Sequence, residues 1–296
     1  MYKTIKKIGL DGGAEAVGFA GVDRLTDKPS MDASYLLPGA RSIISVMKPL
    51  DGQTIRDYLG KKNRENLQRH ETEVYRLLHA IGQEQATYLQ TQGYRAVVAE
   101  PNLDYRYKDK PGYKRVPYSI RQKIADWFAS DSKIPVKWIK NAMVPTLSKP
   151  SFKHVDWNLT PSFSHRYGAI ASGIGYMGWS GNVLHPAYGA RVLYNTVITD
   201  AQLPSDPMIA ESPCDGCRIC TRVCQSDFLH QKQATTVTIG RKTFEHNKKA
   251  HNLRCIFVCA GFSGQNKHKE TLRHSGSRSS LKRWEVTIII QRFSRI

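Results

Sequence analysis

Cysteine is scarce in this chain, and long apolar runs are missing. Only six of the 296 residues are cysteine, too few for the disulfide framework of a small secreted protein. No run of eighteen apolar residues occurs, so the sequence predicts no membrane-spanning helix. The first residues, MYKTIKKIGLDGG, lack the apolar core of a signal peptide and a twin-arginine pair. These absences favour a cytoplasmic location, where thiols stay reduced.

Acidic residues are also few compared with basic ones. Lys and Arg total 44 against 25 Asp and Glu, which gives a formal net charge of +19. The excess is concentrated in residues 241–296, which hold 13 Lys or Arg and 3 Asp or Glu, a net charge of +10. Such an excess favours polyanionic partners such as RNA or phosphorylated cofactors. A solvated tail would have the same composition, and we expect residues 266–296 to be a basic, poorly ordered tail.

The apolar pattern before the cysteines predicts a mixed domain in which helices pack on a sheet. Residues Gln53–Gln92 repeat apolar positions at three- and four-residue steps, a pattern typical of a long helix ending near Gly93. The other predicted elements are a short amphipathic helix at Met1–Leu10, strands within Ala14–Val22, Ser42–Met47, Tyr94–Glu100 and Ala190–Asp200, and helices at Ile120–Ser130 and just before Gly173. The predicted fold class is α+β, with a core domain over residues 1–205.

Four of the six cysteines, Cys214, Cys217, Cys220 and Cys224, lie within eleven residues. Their spacing, C-x2-C-x2-C-x3-C, is that of the bacterial ferredoxin loop that binds a 4Fe-4S cluster. In that pattern three thiolates hold one cluster, and the fourth usually ligates a second cluster. A structural zinc site would more often have two CxxC pairs separated by a long loop. The spacing therefore predicts an iron–sulfur cluster and a redox protein.

A glycine-rich segment, GIGYMGWSGN, occupies residues 173–182 and contains the pattern GxGxxG. A dinucleotide-binding site would need a strand before this pattern, whereas here a predicted helix precedes it. One interpretation is that the backbone passes close to a large flat ligand, because glycines permit close approach. The other is that these are simple turn glycines.

The stretch from Ser164 to Leu203, followed by the cysteine motif, resembles the cobalamin-dependent reductases, which include epoxyqueuosine reductase and the reductive dehalogenases. The shared features are the glycine stretch Ala169–Gly178, the turn Pro186–Gly189, the basic strand Arg191–Asp200 and a proline-rich link to the cysteines. The early segment LPGARSIISVMKPL is also similar. The resemblance implies a nitroreductase-like α/β sandwich that binds cobalamin. It also implies a C-terminal ferredoxin-like 4Fe-4S module, over residues 206–265.

The resemblance further implies site residues. Asp156 lies where epoxyqueuosine reductases have a proton-donating Asp, although an Asp at a turn or helix N-cap would look the same. In the dehalogenase pattern Tyr167 and Arg166 would act in catalysis, with His165 beside the cofactor; a structural role is the alternative for each. At most two of these three could face one pocket, because consecutive helical residues point in different directions. The positions expected to line the cofactor are Gly173, Gly175, Gly178 and Gly181.

The second cysteine group departs from the ferredoxin pattern, since only Cys255 and Cys259 follow the first four. If Cys259 completes the first cluster, Cys224 and Cys255 remain for a second cluster, which is then two ligands short. His246 or His251 could supply imidazole ligands. We expect one cluster, and a second only if other residues replace the missing cysteines.

These observations predict an iron–sulfur oxidoreductase, cobalamin-dependent by resemblance, that reductively removes an oxygen or a halogen from its substrate. Electrons would come from a reduced donor such as ferredoxin or flavodoxin, and the substrate would be tRNA or a small organic molecule. Two alternatives stay open. One is a cobalamin-free 4Fe-4S electron-transfer protein, and the other is an RNA-binding protein with a structural cluster.

Overall fold

A computed structural model of the protein describes residues 1–60, 62, 65–100, 106, 160–224 and 226–250. The chain divides into two compact units, one made of Met1–Asn102 with Ser162–Ile296 and the other of Leu103–Pro161. All helices and strands of the described residues belong to the first unit. The helix predicted at residues 120–130 and the tail at 266–296 lie outside the described residues. The division into domains at residues 205 and 265 stays a prediction.

The first unit combines helices and antiparallel strands. In chain order its main elements are α1 (Tyr2–Asp11), β1 (Ala16–Gly21), β2 (Ser42–Pro49), α2 (Gly52–Leu59), α3 (Glu65–Thr91), β3 (Ala96–Ala99), α4 (His165–Ala171), β4 (Tyr176–Met177), β5 (Val183–Leu184), β6 (Val192–Thr199), α5 (Ile219–Arg222), β7 (Leu229–Ile239) and β8 (Lys242–Lys249). Three short 3-10 turns, at Val22–Arg24, Pro29–Met31 and Ala33–Tyr35, connect β1 to β2.

A four-stranded antiparallel sheet with the order β1-β2-β6-β3 forms the centre of this unit. The two middle strands pair over their full length, with Ile43 opposite Ile198 and Ile44 opposite Val197. These β-branched residues suit a pleated, buried surface. The antiparallel pairing distinguishes this sheet from the parallel sheet of a doubly wound fold.

The two faces of the sheet bury different sets of side chains, because successive residues of a strand point to opposite sides. Ile44 and Val46 of β2 pack with the apolar residues of α1 and α3, which include Ile5, Leu78, Ile81 and Leu89. Ile43 and Met47 face the other way and pack with Ala169, Ile170 and Ala171 of α4. The sheet is therefore covered by α1 and α3 on one face and by α4 on the other.

The long helix predicted over residues 53–92 is two helices in the structure. The helix α2 begins at an N-cap aspartate, where the backbone N–H of Thr54 donates to Asp51 Oδ1 at 2.7 Å. It ends where the N–H of Gly60 donates to the carbonyl of Arg56 at 2.8 Å. The next helix begins at Glu65. The break cannot be predicted from the apolar periodicity, because apolar residues recur with the helical spacing both before and after Gly60.

The strands β7 and β8 form a hairpin that the sequence analysis did not predict. Ile239 and Lys242 pair at its end, so the turn consists of Gly240 and Arg241. Gly240 has a φ of 58°, which suits a residue without a side chain. Val237, Ile239 and Phe244 are buried in the same core as α4. The hairpin thus packs on the same face of the sheet as α4.

The mixed helix-and-sheet fold and most of its predicted elements are confirmed. The structure has α1, β1, β2, β3 and β6 at the predicted places, with shifts of a few residues at their ends. No helix of the described part of the chain is long and apolar enough to cross a membrane.

Candidate functional site

The cysteine motif lies on an irregular loop that is turned by residues with left-handed backbone conformations. Gly216 has a φ of 73° and Arg218 has a φ of 56°. Directly afterwards the short helix α5 begins, and Thr221 Oγ1 donates to the Arg218 carbonyl at 2.8 Å. These turns change the direction of the chain between successive cysteines.

The backbone next to the thiols is fixed by short-range hydrogen bonds. The N–H of Cys214 donates to Ser212 Oγ at 3.1 Å, and the N–H of Cys217 donates to Asp215 Oδ1 at 3.0 Å. The N–H bond to Asp215 is the main reason that the pKa of this carboxyl is lowered. Both are local turns in which a side chain accepts from a backbone N–H two residues on.

The four thiols are free, and they differ in exposure. Cys217 is exposed, whereas Cys214, Cys220 and Cys224 are half-buried. Burial raises the pKa of the Cys220 thiol, and the nearby thiols of Cys214 and Cys217 raise it further. Among the described residues, no three His, Cys, Asp or Glu side chains are gathered closely enough to hold a metal ion. The donor set nevertheless has the chemistry and the spacing of a cluster site.

Trp179, from the glycine-rich segment, contacts the cysteine loop through both backbone and side chain. Its N–H points to Cys214 Sγ at 3.4 Å, and its ring lies 4.3 Å from the guanidinium carbon of Arg218. Its carbonyl accepts a hydrogen bond from the N–H of Asn247 in β8 at 2.7 Å. The indole Nε1 is buried and has no hydrogen-bond partner within the described residues. The backbone N–H of Trp179 therefore gives the Cys214 sulfur a hydrogen-bond donor, and hydrogen bonds to the sulfurs are a feature of iron–sulfur sites.

The four predicted cofactor-lining glycines are packed against other parts of the protein. A Cβ at Gly173 would lie 2.1 Å from the carbonyl oxygen of Pro207, and one at Gly175 would lie 2.2 Å from Val183. At Gly178 and Gly181 the nearest atoms, at 2.8 and 2.9 Å, are those of Leu184 and Lys249. Close approach between chain segments accounts for the missing side chains, so these positions leave no open cradle at their Cα atoms. Their role in binding a cofactor stays a prediction.

His165, Arg166 and Tyr167 at the start of α4 point to different surroundings. Arg166 donates to the carbonyl of Gly181 at 2.8 Å, and Lys249 Nζ donates to the same oxygen at 3.1 Å. The Tyr167 ring packs against the core. Its centre lies 6.0 Å from the guanidinium carbon of Arg166, which is the outer limit for a cation–π contact. The three side chains do not form one cluster.

Both ring nitrogens of His165 contact protein atoms. Nε2 lies 3.1 Å from the carbonyl oxygen of Glu100 and Nδ1 lies 2.9 Å from Thr196 Oγ1. A carbonyl only accepts, so Nε2 carries the proton and Nδ1 accepts from the hydroxyl. Burial lowers the pKa of His165 to about 4, with a smaller contribution from nearby His79. His165 is therefore neutral at pH 7, and it could contact a cofactor through nitrogen only by giving up one of these bonds.

His246, a suggested ligand for a second cluster, is buried in β8 and lies next to the glycine-rich segment. Its Nδ1 lies 2.9 Å from the carbonyl oxygen of Asn247, and burial lowers its pKa. The other residues of that prediction, Cys255, Cys259 and His251, lie outside the described residues, as does Asp156. Their assignments stay predictions.

Sequence reasoning did not select Trp179 or Arg218. Trp179 lies within the glycine-rich segment, between Gly178 and Ser180, and Arg218 is one of the residues between the cysteines. The sequence signal that could have indicated Trp179 is the presence of a large aromatic residue within a glycine-rich segment. Its contact with a loop 35 residues further along is tertiary and cannot be deduced from spacing.

Comparison with known proteins gives a likeness in structure only. No protein-family model matches the chain, and no curated protein matches its sequence. The structure is similar to that of a catabolic reductive dehalogenase, with a TM-score of 0.54 and 14% sequence identity over 86% of this chain. A reductive dehalogenase described with a mechanism for B12-dependent dehalogenation gives the same values. The chain spans 29% of the length of these proteins.

A complex of epoxyqueuosine reductase with a tRNA stem loop is a more distant neighbour. Its TM-score is 0.40 at 14% identity, over 76% of this chain and 52% of the reductase. This value is too low to support an argument. The likeness to the dehalogenases establishes a shared fold and nothing finer.

Proposed function

We propose that the protein is an iron–sulfur oxidoreductase. The observation that carries this proposal is the loop of four free thiols in ferredoxin spacing, which contacts the glycine-rich segment of a core with a dehalogenase-like fold. Cys214, Cys217 and Cys220 would hold the cluster with one further cysteine, Cys224 or Cys259. Residues 206–265 would then form the ferredoxin-like module.

Binding of the cluster would change the protonation of the loop. The ligands are thiolates, so each thiol must lose its proton when it binds iron. The raised pKa of Cys220 makes this loss less favourable in the free protein, and the charge of the iron reverses that effect. Cluster assembly is therefore expected to be weaker at low pH.

The predicted second cofactor is cobalamin, which when bound would supply the cobalt chemistry for removal of an oxygen or halogen, while the electrons would come from the reduced donor through the iron–sulfur cluster. For this group the support is the sequence resemblance and the shared fold. The residues proposed to contact it are His165, Gly173, Gly175, Gly178 and Gly181. The proton would come from Asp156 or from Tyr167 with Arg166, and such a donor acts best when its pKa lies near the working pH.

The proposed electron donor is a reduced ferredoxin or flavodoxin, and the proposed substrate is tRNA or a small organohalide. The basic excess of the chain favours a polyanion such as tRNA, because positive charge steers it to the protein. An organohalide needs no such charge.

A cobalamin-free electron carrier is the second candidate function. The specific observation in its favour is that each of the four glycines is packed against protein atoms rather than facing open space. Such a carrier would need only the cysteine loop.

The experiment that separates these functions is anaerobic reconstitution with iron and sulfide, with and without cobalamin, followed by iron quantitation and EPR. Four irons per chain together with a base-off cob(II)alamin signal would support the reductase. Four irons without that signal would support the electron carrier, and about eight irons would indicate a second cluster. A chain that binds no iron would overturn the proposal in both forms.

A further inference from the structure

Arg218, a residue of the cysteine loop, forms a cation–π contact with Trp179 of the glycine-rich segment. The guanidinium carbon of Arg218 lies 4.3 Å from the centre of the Trp179 ring. Contacts within about 6 Å are attractive, and tryptophan is the strongest aromatic partner. The backbone N–H of the same tryptophan points to Cys214 Sγ at 3.4 Å. The contact therefore holds one positive charge near the first predicted cluster ligand.

The backbone of Arg218 is in a conformation that residues other than glycine rarely adopt. Its φ is 56°, in the left-handed region that costs a residue with a Cβ about 1 kcal/mol or more. Glycine would adopt it freely, as Gly216 does two residues earlier. Residues in such conformations are found more often at functional sites, which makes Arg218 a candidate for a role beside the cysteines.

We propose that Arg218, held against Trp179, raises the reduction potential of the cluster bound by the cysteine loop. The inference rests on the proposed function. When the cluster accepts one electron from a soluble reductant such as dithionite, its net charge falls by one, and no bond is formed or broken. A nearby positive charge stabilises the more negative, reduced form, and net charge is one of the factors that set cluster potentials.

Trp179 is the positioning residue in this arrangement, because its backbone is fixed independently of Arg218. Its carbonyl accepts from the N–H of Asn247 at 2.7 Å, which ties the backbone of Trp179 to the β7–β8 hairpin. Arg218 itself is exposed, and without the ring its long side chain would spread into solvent. Solvent and salt would then screen the charge from the cluster.

The test is a spectroelectrochemical titration of the full chain with a reconstituted cluster. Arg218→Asn removes the charge with a residue that tolerates a positive φ, and its midpoint potential should be lower than that of the wild type. Arg218→Lys keeps the charge and should lie between the two. Arg41→Asn is the matched control, because Arg41 is also exposed but directly precedes β2, away from the motif in sequence, and its potential should stay at the wild-type value.

A second measurement tests the role of Trp179. The shift caused by Arg218→Asn should be smaller in a Trp179→Leu background than in the wild type, because Arg218 is no longer held in place there. Equal shifts in both backgrounds would overturn the positioning role. A wild-type midpoint in Arg218→Asn would overturn the proposal while leaving the iron–sulfur function intact.

Loss of the cluster is also informative. If the wild-type chain binds no iron, the proposed function fails together with this inference. If the wild type binds iron but neither Arg218→Asn nor Arg218→Gly does, Arg218 is needed for loop structure rather than for potential, and the inference is wrong.

Discussion

The hydroxyl of Tyr2 in α1 donates a hydrogen bond to Asp206 Oδ1 across 2.6 Å. Asp206 also accepts from the backbone N–H of Phe19 at 3.1 Å, and its carbonyl accepts from Arg24 at 2.7 Å. Asp206 belongs to the proline-rich link between β6 and the cysteine loop. The link is thus fixed to the start of the chain eight residues before Cys214, which limits how far the loop can move from the sheet.

Tyr2→Phe should lower the free energy of unfolding by about 1.5 to 3 kcal/mol, the range for a hydrogen bond to a charged acceptor. The change isolates the hydrogen bond, because a phenylalanine keeps the ring contact with Phe19, whose centroid lies 4.4 Å away. Urea unfolding measures the effect. Tyr58→Phe, on the exposed side of α2, is the control and should change stability little. Equal effects of the two substitutions would argue against an anchoring role for Tyr2.

Gly175→Ala should destabilise the protein by about 1 to 3 kcal/mol, the usual cost of overpacking a core. The new Cβ would lie 2.2 Å from Val183 Cγ1. Adding Val183→Ala should restore part of the stability, and thermal unfolding of both variants measures this. If the double variant is no more stable than Gly175→Ala, crowding against Val183 is not the cause of the loss.

His165 should make stability depend on pH between about 6.5 and 4. Its pKa is about 4 in the folded chain against 6.5 as the ordinary value, so the unfolded chain binds more protons in this range. The stability contributed by neutral His165 is complete above pH 6.5 and is lost as the pH falls towards 4. Urea midpoints at pH 7 and pH 5 should therefore differ more in the wild type than in His165→Gln. The same difference in both proteins would contradict the neutral state of His165 in the folded chain.

Cys217→Ser should abolish iron binding by the first cluster and the brown colour of the reconstituted protein. Cys217 is one of the three central thiolates of the motif, and serine is a poor substitute for a thiolate ligand. Iron and sulfide quantitation after anaerobic reconstitution gives the answer. Cys255→Ser is the comparison, because the crossover pattern assigns Cys255 to a second cluster and its loss should leave four irons in place. Full iron and sulfide content in Cys217→Ser would show that the ligand assignment is wrong.

The sequence was most informative where a local pattern determines the structure. Residues 42–47 contain four apolar residues, Ile43, Ile44, Val46 and Met47, and this pattern predicted β2. The cysteine spacing predicts an iron–sulfur loop in the same local way, and that stays a prediction. The alternating residues Thr236, Val237, Thr238 and Ile239 are a comparable local signal for the strand β7.

The contacts that organise the candidate site could not be predicted in the same way. Trp179 and Cys214 meet because β8 and the glycine-rich segment pack together, which no period in the sequence encodes. The orientations of His165 and Arg166 likewise depend on partners, Thr196 and Gly181, that only the folded chain brings close.

The strand order of the central sheet has a consequence for synthesis of the chain. β6 pairs with β2 on one side and β3 on the other, yet it follows β3 by more than ninety residues. A ribosome that has released only the first hundred residues has therefore produced two strands whose shared partner does not yet exist. Their unpaired edges and apolar faces are the features that make a nascent chain prone to aggregate. We expect this protein to depend on chaperones that protect exposed strands until Val192–Thr199 emerges and completes the sheet.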